Sequence, residues 1–135
     1  MKVVLDTNIF WVSVPRRAQT NWVFREMLKG TFDLYVSSDI LQEYEEIIGN
    51  RLSKATADAV METLENLRNV FYINVYYRWQ LIMADPDDDK FVDCAVAGGC
   101  DYIVTNDRHF NVLKTIGFPP VKVINLEEFE RLLSM

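Results

Sequence analysis

Short apolar runs alternate with amphipathic stretches along the whole chain. Nearly continuous apolar runs bounded by turn residues are typical of strands buried on both faces. They predict strands at residues 2–5, 33–36, 70–76, 102–105 and 121–124. The intervening stretches carry apolar residues at helical spacing, and several begin with a capping residue such as Ser53 or Asn125. Residues 77–84 fit neither pattern.

Strands that alternate with helices predict an α/β protein. We expect a three-layer α/β/α sandwich around a parallel, five-stranded sheet. The chain has 135 residues and shows no repeat or linker, so residues 1–135 are expected to form a single domain.

Composition narrows the function classes. The net charge of −6 argues against a broad basic surface for duplex nucleic acid but leaves room for one local site. No apolar run approaches the length of a membrane span, and the start of the chain is too short for a secretory signal, so we expect a cytoplasmic protein with no membrane contact. Without a secretory context, Cys94 and Cys100 are interpreted as small buried hydrophobic residues rather than a disulfide.

Acidic residues are concentrated between positions 85 and 107. An acidic turn holds Asp85, Asp87, Asp88 and Asp89, one helical turn separates Asp89 from Asp93, and Asp107 follows the predicted fourth strand. Two carboxylates at about 4 Å repel by roughly 4 kcal/mol at an effective dielectric constant of about 20. A bound divalent cation would relieve that repulsion.

Further acids are predicted at the same edge of the sheet. Asp6 ends the first strand, and Glu43 lies one turn into the helix that follows the second strand, on the border of its apolar stripe. In open parallel sheets ligands bind outside the carboxyl ends of the strands. If the first and fourth strands are neighbours, Asp6 and Asp107 face each other. Oxygen ligands of this kind suit Mg²⁺ or Mn²⁺.

These motifs together resemble the PIN domain, and most closely the VapC-like toxins of toxin–antitoxin pairs. The resemblance covers essentially the whole chain. It rests on Asp6-Thr7-Asn8 after the first strand, Glu43 in the helix after the second, Asp89 sixteen residues before Thr105, and Thr105-Asn106-Asp107.

The resemblance implies a Mg²⁺- or Mn²⁺-dependent ribonuclease that cuts single-stranded RNA. It also implies a homodimer and inhibition by an antitoxin on a separate chain. The family's acidic quartet falls on Asp6, Glu43, Asp89 and Asp107. Asp93 matches an acidic position found in part of the family, and Asp88 is the alternative to Asp89.

The expected roles divide among several groups of residues. Asp6, Asp89 and Asp107, with Asp93 as a further candidate, would hold the metal, and Glu43 would orient or deprotonate the attacking water. Support for the acids or the phosphate would come from Thr7, Asn8 and Thr105, and binding of flanking phosphates from Arg16, Arg17 and Arg108.

Other interpretations of the same residues stay open. Each acid taken alone could be a turn, capping or solvated helix residue. A haloacid-dehalogenase-type phosphatase also begins with an apolar strand and Asp, but it needs a second Asp where this chain has Asn8. A PIN-like fold that serves only as a binding or assembly module would be marked by lost acids, and none is missing.

Overall fold

The protein is a parallel sheet flanked by helices. The computed structural model describes residues 1–82, 86–117 and 119–135, so the predicted role of Asp85 lies outside the described residues. The strands are β1 (Lys2–Leu5), β2 (Asp33–Val36), β3 (Val70–Tyr72), β4 (Tyr102–Val104) and β5 (Val123–Ile124). Their order is β3-β2-β1-β4-β5, and every pairing between neighbours is parallel. The predicted fold class is confirmed.

The position of β1 is the topological switch point of the sheet. The strand pairs with β2 on one side and with β4 on the other. Leu5 and Val104 are register partners, so β1 and β4 end side by side. The first and fourth strands are therefore neighbours, which is the condition under which Asp6 and Asp107 were predicted to face each other.

Six α-helices lie in the described part of the chain: α1 (Thr7–Ser13), α2 (Asn21–Lys29), α3 (Ser38–Arg51), α4 (Lys54–Asn66), α5 (Asp89–Gly98) and α6 (Leu126–Leu133). The side chains of Ser37, Ser53 and Asn125 cap α3, α4 and α6, respectively. Gly30 ends α2 with a φ of 79°, a backbone conformation that favours glycine. The sequence pattern did not predict α1. None of the described helices combines the length and apolar character needed to cross a membrane.

Two elements differ from the prediction. The third strand stops at Tyr72, and segment 73–82 continues without regular structure. Residues 108–115 form a 3₁₀ helix rather than an α-helix, and another 3₁₀ turn, Pro86–Asp88, precedes α5. Boundaries of this kind depend on contacts from distant parts of the chain, which a local pattern does not contain.

Helix α5 packs closely against the sheet. At Gly98 an added Cβ would lie 2.6 Å from a ring carbon of Tyr35 on β2, so no larger residue fits there without a shift. Phe91, Val92 and Cys94 of the same helix are fully buried. Both cysteines are free thiols, as predicted, and burial raises the pKa of each to about 12. This packing fixes the start of α5 at the edge where β1 and β4 end.

Candidate metal-binding site

Asp6 and Asp107 are joined through Thr105. The Thr105 hydroxyl donates a hydrogen bond of 2.7 Å to Oδ2 of Asp6, and it accepts one of 3.0 Å from the backbone N–H of Asp107. The backbone N–H of Asp6 donates to the carbonyl of Val104 at 3.1 Å. The structure thus brings the ends of β1 and β4 together at one polar site, as their predicted positions implied.

The carboxyl group of Asp6 is held in an unfavourable place for a charge. Its side chain is only 5% exposed, and this burial is the main cause that raises its pKa above the usual value. Hydrogen bonds from Thr105 and from the backbone N–H of Asn8 act in the opposite direction. The negative charges of Asp107 and Glu43 raise the pKa further. A cation at this position would offset both the burial and the repulsion.

Asp88 lies beside Asp107 and His109. One ligand atom of each of these three residues can be chosen so that all lie within 4.8 Å of one another. Asp107 also caps the following 3₁₀ helix, since its Oδ1 accepts the backbone N–H of His109 at 2.9 Å. The imidazole Nδ1 of His109 is 3.5 Å from the same carboxylate oxygen. Of the described acids in the turn, Asp88 is therefore the one that joins this cluster.

Asp89 and Asp93 hold the segment that precedes α5. Oδ1 of Asp89 accepts the backbone N–H of Ile82 at 2.8 Å, and Oδ1 of Asp93 accepts that of Trp79 at 2.9 Å. Asp93 is buried, and this burial is the main cause that raises its pKa, while the Trp79 hydrogen bond lowers it. The two acids share a helix face, as predicted, but each already serves a backbone donor.

Glu43 forms an ion pair with Lys90. Oε2 of Glu43 on α3 contacts Nζ of Lys90 in the first turn of α5, and the side chains are 28% and 19% exposed, respectively. Glu43 borders the buried stripe of α3, as predicted, with Tyr44 fully buried beside it. The ammonium group of Lys90 thus lies between α3 and α5, beside Glu43, whose negative charge also acts on Asp6.

The supporting residues have different surroundings. Thr7 is buried, and its hydroxyl has no hydrogen-bond partner within the described part of the chain. Asn8 is exposed, and its Oδ1 accepts a hydrogen bond of 3.2 Å from the indole N–H of Trp11. An unsatisfied buried hydroxyl one residue after Asp6 is a polar group available to a ligand at this edge.

The three predicted phosphate-binding arginines separate into two places. Arg16 and Arg17 are exposed in the loop after α1, where Arg16 lines a groove against Thr56 and Thr63 of α4. Arg108 instead lines a cavity together with Thr105 and Asp107. That groove and this cavity have no lining residue in common.

The donor set fits a divalent cation that prefers oxygen ligands. The group within 4.8 Å supplies two carboxylates, from Asp88 and Asp107, and the imidazole of His109. Asp6 lies outside that group and is linked to Asp107 through Thr105. Mg²⁺ and Mn²⁺ favour carboxylates, and Mn²⁺ also accepts imidazole. A bound cation would relieve both the unfavourable burial of Asp6 and the repulsion between the acids.

Sequence reasoning missed the placement of Lys90 and His109. Both are adjacent or nearly adjacent to predicted acids, and that proximity in sequence was the available signal. No local pattern indicates that Lys90 pairs with Glu43, 47 residues away. The partner depends on how α3 and α5 pack on the sheet.

Comparisons with known proteins agree with this fold. The family model for the PIN domain matches residues 2–109, and the chain belongs to the PIN-domain family. No curated protein sequence matches it significantly.

Two solved structures have a similar fold. A chain of VapBC2 from Rickettsia felis, in a crystal structure bound to a DNA fragment from the promoter, is 19% identical with a TM-score of 0.62. The alignment covers 93% of this chain and 98% of that one. A chain of FitAcB from Neisseria gonorrhoeae is 16% identical with a TM-score of 0.56, covering 91% of this chain and 96% of that one. At sequence identities this low, the similarity to these two structures shows a shared fold alone.

Proposed function

We propose that the protein is a metal-dependent endoribonuclease that hydrolyses phosphodiester bonds in single-stranded RNA. The observation that carries the proposal is the meeting of Asp6 and Asp107 through Thr105, with Asp88 beside Asp107, at the carboxyl edge of a PIN-domain sheet. Acids converging at this edge are suited to phosphoryl transfer, in which catalysis depends on positioning and on neutralising charge.

Asp6, Asp88 and Asp107 would hold the Mg²⁺ or Mn²⁺ ion. We favour Asp88 over Asp89 as a ligand because Asp88 clusters with Asp107, whereas Oδ1 of Asp89 accepts the N–H of Ile82. When bound, the cation supplies a Lewis acid that lowers the pKa of water and neutralises charge on the phosphoryl oxygens. Thr105 orients Asp6 and Asp107 through its hydroxyl.

Glu43 is the candidate that orients or deprotonates the attacking water. Its carboxylate lies close enough to Asp6 to raise the pKa of that group, and Lys90 holds it from the other side. In the proposed reaction the water oxygen forms a bond to phosphorus and the bond to the 3′-oxygen breaks. Glu43 takes the proton of the water, and the leaving oxygen takes one from solvent. The products are a 3′-hydroxyl and a 5′-phosphate.

The proposed biological role is that of a toxin in a toxin–antitoxin pair. Its support is the PIN-domain membership together with two neighbours of the same fold that occur in VapBC2 and FitAcB. The proposal includes an antitoxin on a separate chain and a homodimer of this chain. A toxin that cuts cellular RNA would act in the cytoplasm.

The proposal is tested by incubating a pool of mixed single-stranded RNA with the protein. The wild type is expected to cut RNA with Mn²⁺ and to leave it intact with EDTA, and the Asp6→Asn variant to leave it intact in both conditions. Sequencing the cut ends would identify the target. Cleavage that persists at the same rate with EDTA, or in the Asp6→Asn protein, would contradict the proposed mechanism.

The alternative is a PIN-fold module that has no catalytic activity. Measuring thermal stability with and without metal detects metal binding independently of RNA cleavage. A site that holds Mn²⁺ gains thermal stability with metal concentration, as for any ligand of the native state. The Asp6→Asn variant should lose most of that gain. A wild type that is stabilised by Mn²⁺ but cuts no RNA from the pool would favour the module.

A further inference from the structure

A polar cavity lies directly beside Asp107. Its volume is about 320 Å³, and its lining includes the charged residues Asp107, Arg108, Lys114 and Glu128 and the amides of Asn106 and Asn125. Thr105 and Asp107 line the cavity, and the same two residues are hydrogen-bonded in the link to Asp6. A ligand that fills the cavity would therefore extend from the place where the proposed reaction occurs.

One wall of the cavity is a stripe with two positive charges. Arg108, Asn111 and Lys114 are each three residues apart on the 3₁₀ helix. A 3₁₀ helix has three residues per turn, so these side chains lie on one face at about 6 Å per turn. Neither Arg108 nor Lys114 forms an ion pair with any described residue, and both are exposed. Within the described part of the chain, no ion pair neutralises these two cations.

Three other side-chain oxygens of the lining accept backbone N–H groups. Oδ1 of Asn106 accepts the N–H of Leu126 at 3.1 Å, and Oδ1 of Asn125 accepts that of Glu128 at 2.8 Å. Oε1 of Glu128 accepts the N–H of Asn125 at 3.1 Å. These bonds fix the amides so that their N–H groups remain as donors. The cavity thus combines these amide donors with two cations that form no ion pair with a described residue, and the carboxylates of Asp107 and Glu128 complete its lining. The cations and amide N–H groups suit the anionic, oxygen-rich parts of a ligand.

We infer that this cavity is a subsite for the nucleotide next to the scissile phosphodiester of single-stranded RNA. Arg108 and Lys114 bind its flanking phosphates, and the asparagine amides bind oxygen atoms of the ribose or base. The inference rests on the proposed ribonuclease function and adds a location for the substrate. The lining holds two cations and two carboxylates, so the inference rests on the positions of Arg108 and Lys114 and not on a net positive cavity.

Binding is tested on uncut RNA, so that affinity is measured apart from catalysis. All proteins carry Asp6→Asn, the buffer contains EDTA, and the probe is a fluorescein-labelled, mixed-sequence single-stranded RNA. The test variant is Arg108→Gln/Lys114→Gln. The matched control, Arg25→Gln/Lys122→Gln, removes the same charge at exposed positions outside the cavity lining. Thermal unfolding of each variant verifies that it is folded.

The test variant should bind RNA on the order of tenfold more weakly than the control. The slope of log affinity against log salt should fall by about 1.4, or about 0.7 for each lost phosphate contact. Equal weakening in both double variants would mean that only net charge matters, and would overturn the subsite. So would unchanged affinity in the test variant. Equal binding of single-stranded DNA of the same sequence would overturn the assignment to RNA.

Cleavage by proteins with Asp6 intact separates this inference from the proposed function. If the subsite is correct, Arg108→Gln/Lys114→Gln should raise KM for RNA, while the control variant keeps the wild-type KM. Cleavage with an unchanged KM in the test variant would retain the ribonuclease and overturn the subsite. A wild type that binds RNA through Arg108 and Lys114 but cannot cut it would retain the subsite as an RNA-binding surface and overturn the ribonuclease.

Discussion

The hydroxyl of Thr105 donates a hydrogen bond of 2.7 Å to the carboxylate of Asp6, across 99 positions of the chain. The same oxygen accepts the backbone N–H of Asp107. A single side chain therefore sets the relative position of the two acids that end β1 and follow β4.

Thr105→Val keeps the shape of the side chain and removes both hydrogen bonds. Because a bond to a charged group is lost at a buried site, the free energy of unfolding should fall by about 2 kcal/mol in EDTA. Mn²⁺ should also stabilise this variant less than the wild type. Thermal unfolding with and without Mn²⁺ measures both effects. Thr105→Ser retains the hydroxyl and is the control, so equal losses in both variants would argue against the hydrogen bonds as the cause.

Asp6→Asn should stabilise the metal-free protein at neutral pH. Burial raises the pKa of Asp6 above the unfolded value of 3.8, so its ionised form opposes folding. The gap in stability between variant and wild type should be full above the raised pKa. It should shrink as the pH falls towards 3.8, because the wild-type group then takes up a proton. Thermal unfolding in EDTA across this pH range measures the difference in stability. A difference that does not change with pH would contradict the raised pKa of Asp6.

Asn substitutions at Asp88 and Asp89 test which of the two acids binds the metal. The geometry favours Asp88, whereas the spacing in the sequence predicted Asp89. Asp88 clusters with Asp107 and His109, whereas Asp89 accepts the N–H of Ile82. We expect Asp88→Asn to lose most of the stabilisation by Mn²⁺, and Asp89→Asn to retain most of it. Mn²⁺ titration followed by thermal unfolding decides between them. The reverse result would restore Asp89, the ligand predicted from its distance to Thr105.

Lys90→Met should strengthen Mn²⁺ binding several-fold. The ammonium group pairs with Glu43 at the edge of the acidic cluster, and a positive charge there opposes the arrival of a cation. Isothermal titration with Mn²⁺ measures the affinity. Lys90→Arg keeps the charge and should bind Mn²⁺ like the wild type. Weaker binding in Lys90→Met would show that the lysine supports the site rather than competing with the metal.

Asp93→Ala should loosen segment 73–82 without unfolding the protein. The variant removes the acceptor of the Trp79 N–H, which costs about 1–3 kcal/mol. Tyr76 is 91% exposed in this segment, so chymotrypsin should cut there faster than in the wild type. Asp93→Asn keeps an acceptor oxygen and should resist cleavage. Equal digestion rates for Asp93→Ala and the wild type would mean that the segment is held by other contacts.

Local patterns predicted most of the secondary structure. Apolar runs located all five strands, and the capping residues Ser53 and Asn125 gave the starts of α4 and α6, because these signals act over a few neighbouring residues. The end of β3 was predicted four residues too late. Residues 73–76 have strand-like composition, but the segment that they begin is held elsewhere: its backbone N–H groups at Trp79 and Ile82 bond to the carboxylates of Asp93 and Asp89.

The sequence by itself determined the parallel α/β architecture and the placement of Asp6 and Asp107 at strand ends, since strand burial and turn chemistry are local. Only the tertiary structure decided which carboxylates meet. Asp88 and Asp89 are neighbours in sequence, yet the 3₁₀ turn before α5 places Asp88 beside Asp107 while Asp89 bonds to Ile82. The direction of a side chain depends on backbone geometry and on distant hydrogen-bond partners. For the same reason Lys90 was identified as the partner of Glu43 only in the folded chain.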